Sequence, residues 1–142
     1  MDLGHWKLSS ELEITENTFG FVYEIHNKIN NKKYIGKKQC LSKHSKKPLK
    51  GKKNRRIEMR ESDWRLYTGS SRELNDDIEK YGKENFNFTI LHICDSKWEL
   101  GYKEIKEQIE RDAILREDYY NGILNVRIGS PPESFLLKIQ GK

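Results

Sequence analysis

The chain has 142 residues and a formal net charge of +5, with 27 Lys or Arg and 22 Asp or Glu. This length suits one domain with a modest core. No apolar stretch approaches the roughly 20 residues that span a bilayer, and no secretory signal opens the chain, so we expect no membrane association and a cytoplasmic location.

Residues 1–18 are polar and are predicted to form an N-terminal arm. From Phe21 to Ile25, apolar and polar residues alternate in the period of a β-strand. The turn signal Asn30-Asn31 follows, so the pattern predicts a β-hairpin over residues 20–36.

Residues 37–63 contain no sustained apolar period, and Pro48 and Gly51 interrupt them. Fourteen Lys or Arg and a single acid, Glu58, lie between Lys28 and Arg60, whereas the rest of the chain carries a formal charge of −8. Such a segment favours a nucleic-acid partner, because each contact with a phosphate releases a counterion; a solvated loop is the alternative. We expect a basic insertion over 37–63 that orders only on its partner. Its predicted nucleic-acid contacts are Lys37, Lys43, His44, Lys46, Lys47, Lys50, Lys52, Lys53, Arg55 and Arg56.

The second half of the chain contains two capping boxes. Ser70 and Glu73 predict a helix over 70–81 that ends at Gly82. A third strand is predicted over residues 86–93. Ser96 and Glu99 predict a longer helix that ends near residue 117. The apolar stripe of this helix comprises Trp98, Tyr102, Ile105, Ile109 and Ala113, and we expect Trp64, Tyr67 and Trp98 to lie in the core.

A fourth, edge strand is predicted over 123–128, and Pro131-Pro132 separates a tail of residues 131–142. The resulting β-β-α-β-α order predicts a single α+β domain over residues 19–130, with a small antiparallel sheet.

Cys40 and Cys94 are expected to be reduced thiols, since neither belongs to a CxxC pair. The four histidines do not have zinc-ligand spacing.

Tyr23 and Tyr34 lie on the two arms of the predicted hairpin, and Lys37 and Lys38 follow at once. A phenol can hold or deprotonate a water if a nearby cation lowers its pKa from about 10. The pair could therefore serve phosphodiester cleavage, or the two residues could be ordinary cross-strand aromatics.

The motifs Phe21-Val22-Tyr23 and Tyr34-Ile35-Gly36 resemble the paired signature of the GIY-YIG nuclease family. The resemblance extends in order over residues 20–128 and is closest to phage-encoded, homing-type members. It also includes the segments 64–71, 78–82, 84–86, 90–91 and 119–121, which read WRLYTGSS, IEKYG, ENF, IL and YYN.

The resemblance implies hydrolysis of double-stranded DNA with Mg²⁺ or Mn²⁺ as cofactor. It implies that Tyr23 acts as general base or positions the water, and that Tyr34 packs into the same site. It further implies a metal-binding glutamate on the helix after the third strand. Spacing favours Glu104 for that role, with Glu107 and Glu110 as alternatives.

The family has an arginine after the second tyrosine motif, but in this sequence His44 stands at the position where that arginine is expected. The candidates for its role are Lys38, Arg65 and Arg72, and Lys33 is a further candidate for lowering a tyrosine pKa. We therefore expect a DNA endonuclease. The alternatives are a non-catalytic nucleic-acid-binding module that retains the fold and the basic loop, and a phage structural or inhibitor protein.

Overall fold

The computed structural model describes residues 1–9, 11–124 and 127–141, and it confirms the predicted α+β class. Strands and helices follow the order β1 to β5, α1, β6, α2 and α3. The strands are Lys7–Leu8 (β1), Gly20–Asn27 (β2), Lys33–Gln39 (β3), Leu41–Lys46 (β4), Arg56–Glu61 (β5) and Phe86–Cys94 (β6). The helices are Arg72–Tyr81 (α1), Lys97–Glu110 (α2) and Glu133–Gln140 (α3).

The central sheet has the strand order β1-β6-β2-β3 and is mixed rather than wholly antiparallel. Strand β2 pairs antiparallel with β3 and β6, but β1 runs parallel to β6. The N-terminal arm is therefore part of the domain, and Trp6 beside β1 is only 3% exposed. Its indole nitrogen donates a hydrogen bond of 2.6 Å to the Trp64 carbonyl oxygen.

Strand β2 crosses the middle of the core and contributes apolar residues to both faces of the sheet. Phe21, Tyr23 and Ile25 pack in the cluster on the α1 side, together with Leu74 of that helix. Val22 packs in the second cluster with Leu100 of α2. This two-sided burial fits the strand's rich content of aromatic and β-branched residues.

The basic insertion contains regular structure, which corrects the expectation that residues 37–63 are unstructured. Strands β4 and β5 form a separate two-stranded antiparallel sheet, which we call the ribbon (residues 41–61). Its strands were missed because β4 is polar beyond Leu41 and β5 alternates over only two apolar residues, Ile57 and Met59, which is too short a pattern to indicate a strand.

Helix α1 begins one residue later than its predicted capping box. The side chain of Ser71, not Ser70, accepts the hydrogen bond from the Leu74 amide at 3.2 Å. Gly82 ends the helix with φ of +92°, as predicted. The Ser96 cap of α2 is confirmed by its bond from the Glu99 amide.

Helix α2 ends at Glu110 rather than near residue 117, because Asp112 adopts a left-handed conformation with φ of +52°. Its orientation also differs from a simple amphipathic helix. Leu100 and the polar Glu99 and Gln108 are buried, whereas Ile109 of the apolar stripe is 52% exposed.

The predicted C-terminal tail contains helix α3, whose Phe135 packs against Trp98 and Tyr102. Trp98 therefore lies in this peripheral cluster and not in the core, whereas Trp64 is buried as expected.

Of the edge strand predicted over 123–128, residues 125 and 126 lie outside the described residues, and the other four are not in a strand. Within the described ranges, no helix combines the length and apolar character needed to cross a bilayer. Cys40 and Cys94 are free and buried.

Candidate active site

A cleft of about 540 Å³ opens beside strand β3, between the N-terminus of α1 and the middle of α2. Its lining includes aromatic, basic and acidic side chains from distant parts of the sequence. The lining residues are Tyr23, Tyr34, Lys37, Tyr67, Ser70, Ser71, Arg72, Glu104, Gln108, Tyr120, Asn121, Gly122 and Ile123.

Tyr23 lies at the inner wall of the cleft and is 1% exposed. The β2–β3 register pairs it with Gly36, and the pairing of β2 with β6 shifts at Val22/Tyr23. A Cβ at Gly36 would lie 2.4 Å from the Tyr23 hydroxyl oxygen, so only glycine leaves room for the phenol there. Among the described residues, the Tyr23 hydroxyl has no hydrogen-bond partner in the protein.

Tyr34 and Tyr67 surround the same phenol, with ring centroids 6.2 Å and 6.3 Å from that of Tyr23. The Tyr34 hydroxyl shares a hydrogen bond of 3.1 Å with the Ser70 hydroxyl. Burial raises the pKa of Tyr23 well above its ordinary value, and Tyr34, Tyr67 and Glu104 raise it further. Burial also raises the pKa of Tyr34. The protein groups around both phenols thus favour their protonated form.

Glu104 projects from α2 into the cleft, with its side chain 15% exposed. Its closest cation is Lys37, at 3.9 Å between Nζ and Oε1. Burial raises the pKa of this carboxyl, and Lys37 opposes that increase. The two alternative glutamates lie elsewhere. Glu107 bonds to His92 and Arg111, and Glu110 is 59% exposed beside Lys106.

The outer edge of β3 is held by side-chain amides from the C-terminal half of the chain. Asn121 accepts a hydrogen bond from the Ile35 amide at 3.0 Å and donates one to the Ile35 carbonyl at 2.8 Å. Gln108 donates a second bond to that carbonyl at 3.0 Å. These amides satisfy the unpaired backbone groups of an edge strand, and the Gln108 bond holds α2, and hence Glu104, against β3.

The predicted basic candidates separate into two groups. Lys37 and Arg72 line the cleft. Lys38 lies just outside it, with Nζ 4.2 Å from the centre of the Tyr67 ring and 2.8 Å from Asp63.

Two further candidates lie away from the cleft lining. The Arg65 guanidinium donates to the Asp2 carbonyl and pairs with Glu61, so it ties down the N-terminal arm. Lys33 lies where β3 meets residues 118–120, and its backbone bonds to Asp118 and Tyr120.

Comparison with known proteins identifies the family. The sequence family described as "Putative endonuclease segE, GIY-YIG domain" matches residues 6–124. The chain belongs to the GIY-YIG endonuclease family. A protein of Enterobacteria phage T4 described as "Putative endonuclease segE" is 35% identical over 103 residues, which cover 72% of this chain and 40% of that protein. The chain thus spans less than half the length of this relative. No solved structure matches the chain.

This result confirms the resemblance derived from the paired tyrosine motifs. The matched range includes every cleft-lining residue of the GIY-YIG domain and the whole ribbon. It also includes the arm residue Trp6, which was predicted to precede the domain.

The predicted nucleic-acid contacts other than Lys37 belong to the ribbon, outside the cleft. Lys43, His44 and Lys46 lie on β4, Arg56 begins β5, and the remaining five lie in the connecting segment 47–55.

Several cleft residues were not singled out by sequence reasoning. Tyr67 was assigned to the core, and Ser70 was assigned only a capping role. Gln108 was not considered at all. Tyr67 and Ser70 lie in a matching motif, WRLYTGSS, which could have indicated them, but no local signal marks Gln108.

Proposed function

We propose that this GIY-YIG domain is a metal-dependent endonuclease that hydrolyses phosphodiester bonds of double-stranded DNA, as a homing-type nuclease does. The observation that carries the proposal is the meeting of Tyr23, Tyr34 and Glu104 with Lys37 and Arg72 in one cleft. Phosphodiester hydrolysis needs a positioned water and neutralisation of developing negative charge, and these residue types supply both.

The donor chemistry of the cleft fits a hard divalent cation held by Glu104. In the described part of the chain this carboxylate has one loose ion pair, with Lys37, and no hydrogen-bond donor. Its negative charge is therefore poorly compensated. The described residues contain no cluster of three or more His, Cys, Asp or Glu, so the protein would supply one ligand. Mg²⁺ accepts such a site, because it keeps several waters and binds substrate phosphate. A bound Mg²⁺ or Mn²⁺ would polarise a phosphoryl oxygen and offset charge on the leaving oxygen.

Tyr23 is placed to hold the attacking water. Its hydroxyl faces the cleft and has no hydrogen-bond partner in the described part of the chain, so it can donate to or accept from a water there. Because burial keeps the phenol protonated, positioning the water suits it better than removing a proton. Tyr34 supports this arrangement, since its bond with Ser70 fixes the second phenol beside the first.

Arg72 and Lys37 would neutralise the phosphate from two sides. Arg72 is the first residue of α1, whose N-terminal amides and positive dipole end also favour an anion. Arg72 is therefore the best placed of the three candidates for the family arginine. The ribbon bases would bind the phosphate backbone of the duplex outside the cleft.

Nicking of supercoiled plasmid tests the proposal, with Tyr23→Phe compared against Tyr81→Phe. Tyr81, at the C-terminal end of α1, does not line the cleft. We expect wild type and Tyr81→Phe to nick DNA with Mg²⁺ and not with EDTA, and Tyr23→Phe to be about 10²–10⁴-fold slower. Salt-sensitive binding without nicking under any divalent metal would refute the enzyme and favour the non-catalytic binding module.

A further inference from the structure

The ribbon has two chemically different faces. Residues paired across an antiparallel ladder project to the same side, and the side alternates along each strand. The observed register therefore defines two sets. The Ile57 face consists of Leu41, Lys43, Ser45, Ile57, Met59 and Glu61. The Glu58 face consists of Ser42, His44, Lys46, Arg56, Glu58 and Arg60.

Charges on the Glu58 face largely pair with one another. The Glu58 carboxylate lies 2.9 Å from Lys46 Nζ and 3.2 Å from Arg60 Nε. His44 and Ser42 also share a hydrogen bond of 3.0 Å. This face thus presents a carboxylate and basic side chains that are already paired with it. Such a face is better suited to contact with solvent than to contact with a phosphate backbone.

The Ile57 face has an exposed apolar centre, and its one acid, Glu61, lies at the base of the ribbon, where it pairs with Arg65. Ile57 is 69% exposed and Met59 is 46% exposed. They sit within a ribbon that holds nine Lys or Arg and two Glu over residues 41–61, a formal charge of +7. An apolar strip bordered by unpaired positive charge is complementary to a groove of duplex DNA, where apolar groups meet base edges between two rows of phosphates.

We infer that the ribbon lies in the major groove of duplex DNA, with the Ile57 face toward the base edges. This inference rests on the proposed function for the identity of the partner. A two-stranded ribbon, with strands about 4.8 Å apart plus side chains, fits a groove about 12 Å wide and exceeds one about 6 Å wide.

This placement assigns a separate task to each part of the ribbon. Ile57 and Met59 contact base edges, with thymine methyl groups as their matching chemistry. The lysines of segment 47–55 reach the flanking phosphates. Glu58 points away from the DNA, so its charge does not oppose binding.

Binding to a short duplex, measured by fluorescence anisotropy with EDTA present to prevent cleavage, tests the inference. Methyl green occupies the major groove and distamycin the minor groove. We expect methyl green to weaken binding by about tenfold and distamycin to have little effect. The reverse pattern would overturn the inference.

Paired double variants test which face meets the DNA. Ile57→Thr with Met59→Thr keeps the strand propensity but removes the apolar contact. Ser42→Ala with Glu58→Gln is the matched change on the Glu58 face. We expect the first pair to weaken binding by about tenfold without changing its salt dependence, and the second pair to bind like wild type.

Equal binding by both pairs, or a loss confined to the second pair, would overturn the inference. A dimer seen by sedimentation that the first pair dissociates, with DNA affinity unchanged, would also overturn it by assigning the face to a second copy. Plasmid nicking separates the two proposals. If the protein nicks plasmid but neither methyl green nor the Ile57/Met59 variant weakens binding, the ribbon placement alone is refuted. If both weaken binding but no nicking occurs, the catalytic proposal alone is refuted.

Discussion

Replacing Gly36 with alanine would place a methyl group against the Tyr23 phenol. The added carbon would lie 2.4 Å from the Tyr23 hydroxyl oxygen, 2.7 Å from its Cζ and 2.8 Å from Cε2 of Tyr34. Ordinary carbon contacts lie near 3.5–4.0 Å, so the rings must move by about 1 Å. Tyr23 is confined by Trp6, with ring centroids 4.9 Å apart, and by its burial. We expect this overpacking to lower the free energy of unfolding by about 1–3 kcal/mol.

Gly101→Ala is the matched control, because it adds the same methyl group within α2. The nearest atom to that methyl group is Lys37 Nζ, at 3.9 Å. Alanine in a helix interior is favoured over glycine by about 0.5–1 kcal/mol, so this variant should be more stable than wild type. The two substitutions are therefore expected to have opposite signs.

Urea unfolding followed by circular dichroism measures both changes, and plasmid nicking measures their effect on the site. Gly36→Ala should also nick more slowly, by up to about 10²-fold, because it displaces the Tyr23 hydroxyl. If Gly36→Ala proved as stable as Gly101→Ala, the close approach of Tyr23 to β3 would be wrong, and the geometry of the cleft with it.

Two further predictions concern the supports of the cleft. The His5 ring donates through Nε2 to the Tyr67 carbonyl at 2.8 Å, and its buried Nδ1 lacks a partner among the described residues. Burial, with Lys83 adding to it, lowers the pKa of His5 to about 4. The unfolded chain therefore takes up the proton first as the pH falls. Stability should be complete above about pH 6.5 and decrease by up to about 3 kcal/mol toward pH 4. The drop in urea midpoint should be smaller in His5→Phe, and an unchanged drop would contradict the assignment. Asn121→Ala leaves the Ile35 amide without its partner and should cost about 1–3 kcal/mol. An unchanged urea midpoint would show that water replaces the side chain.

The elements with clear local signals were predictable from the sequence. Alternation around Tyr23 and Tyr34 gave the β2–β3 hairpin, and the Ser96 cap marked the start of α2. The end of α2 was not predictable, because Asp112 takes a left-handed conformation that its residue type does not demand. The ribbon was missed because the alternation in β5 involves only two apolar residues, Ile57 and Met59, which is too short to indicate a strand.

The cleft could be predicted only in part. The motif tyrosines and Glu104 were identified from the family pattern, and the fold brings them together in one cleft. Arg72 could not be separated from Arg65 or Lys38 by sequence, because each is simply a base near a motif. Only the fold distinguishes them, because it brings Arg72 at the start of α1 to the cleft. The buried face of α2 was predicted wrongly, because hydropathy does not indicate that polar residues are buried. Glu99 is buried through an ion pair and Gln108 through a hydrogen bond.

The most direct test of the proposed active site compares Glu104→Ala with Glu110→Ala in the plasmid nicking assay with Mg²⁺. Both residues lie on α2, but only Glu104 reaches the cleft, whereas Glu110 is 59% exposed. We predict a loss of about 10³-fold or more for Glu104→Ala and wild-type nicking for Glu110→Ala. Nicking that survives Glu104→Ala, or that is lost with Glu110→Ala instead, would contradict the proposal that this cleft is the catalytic centre.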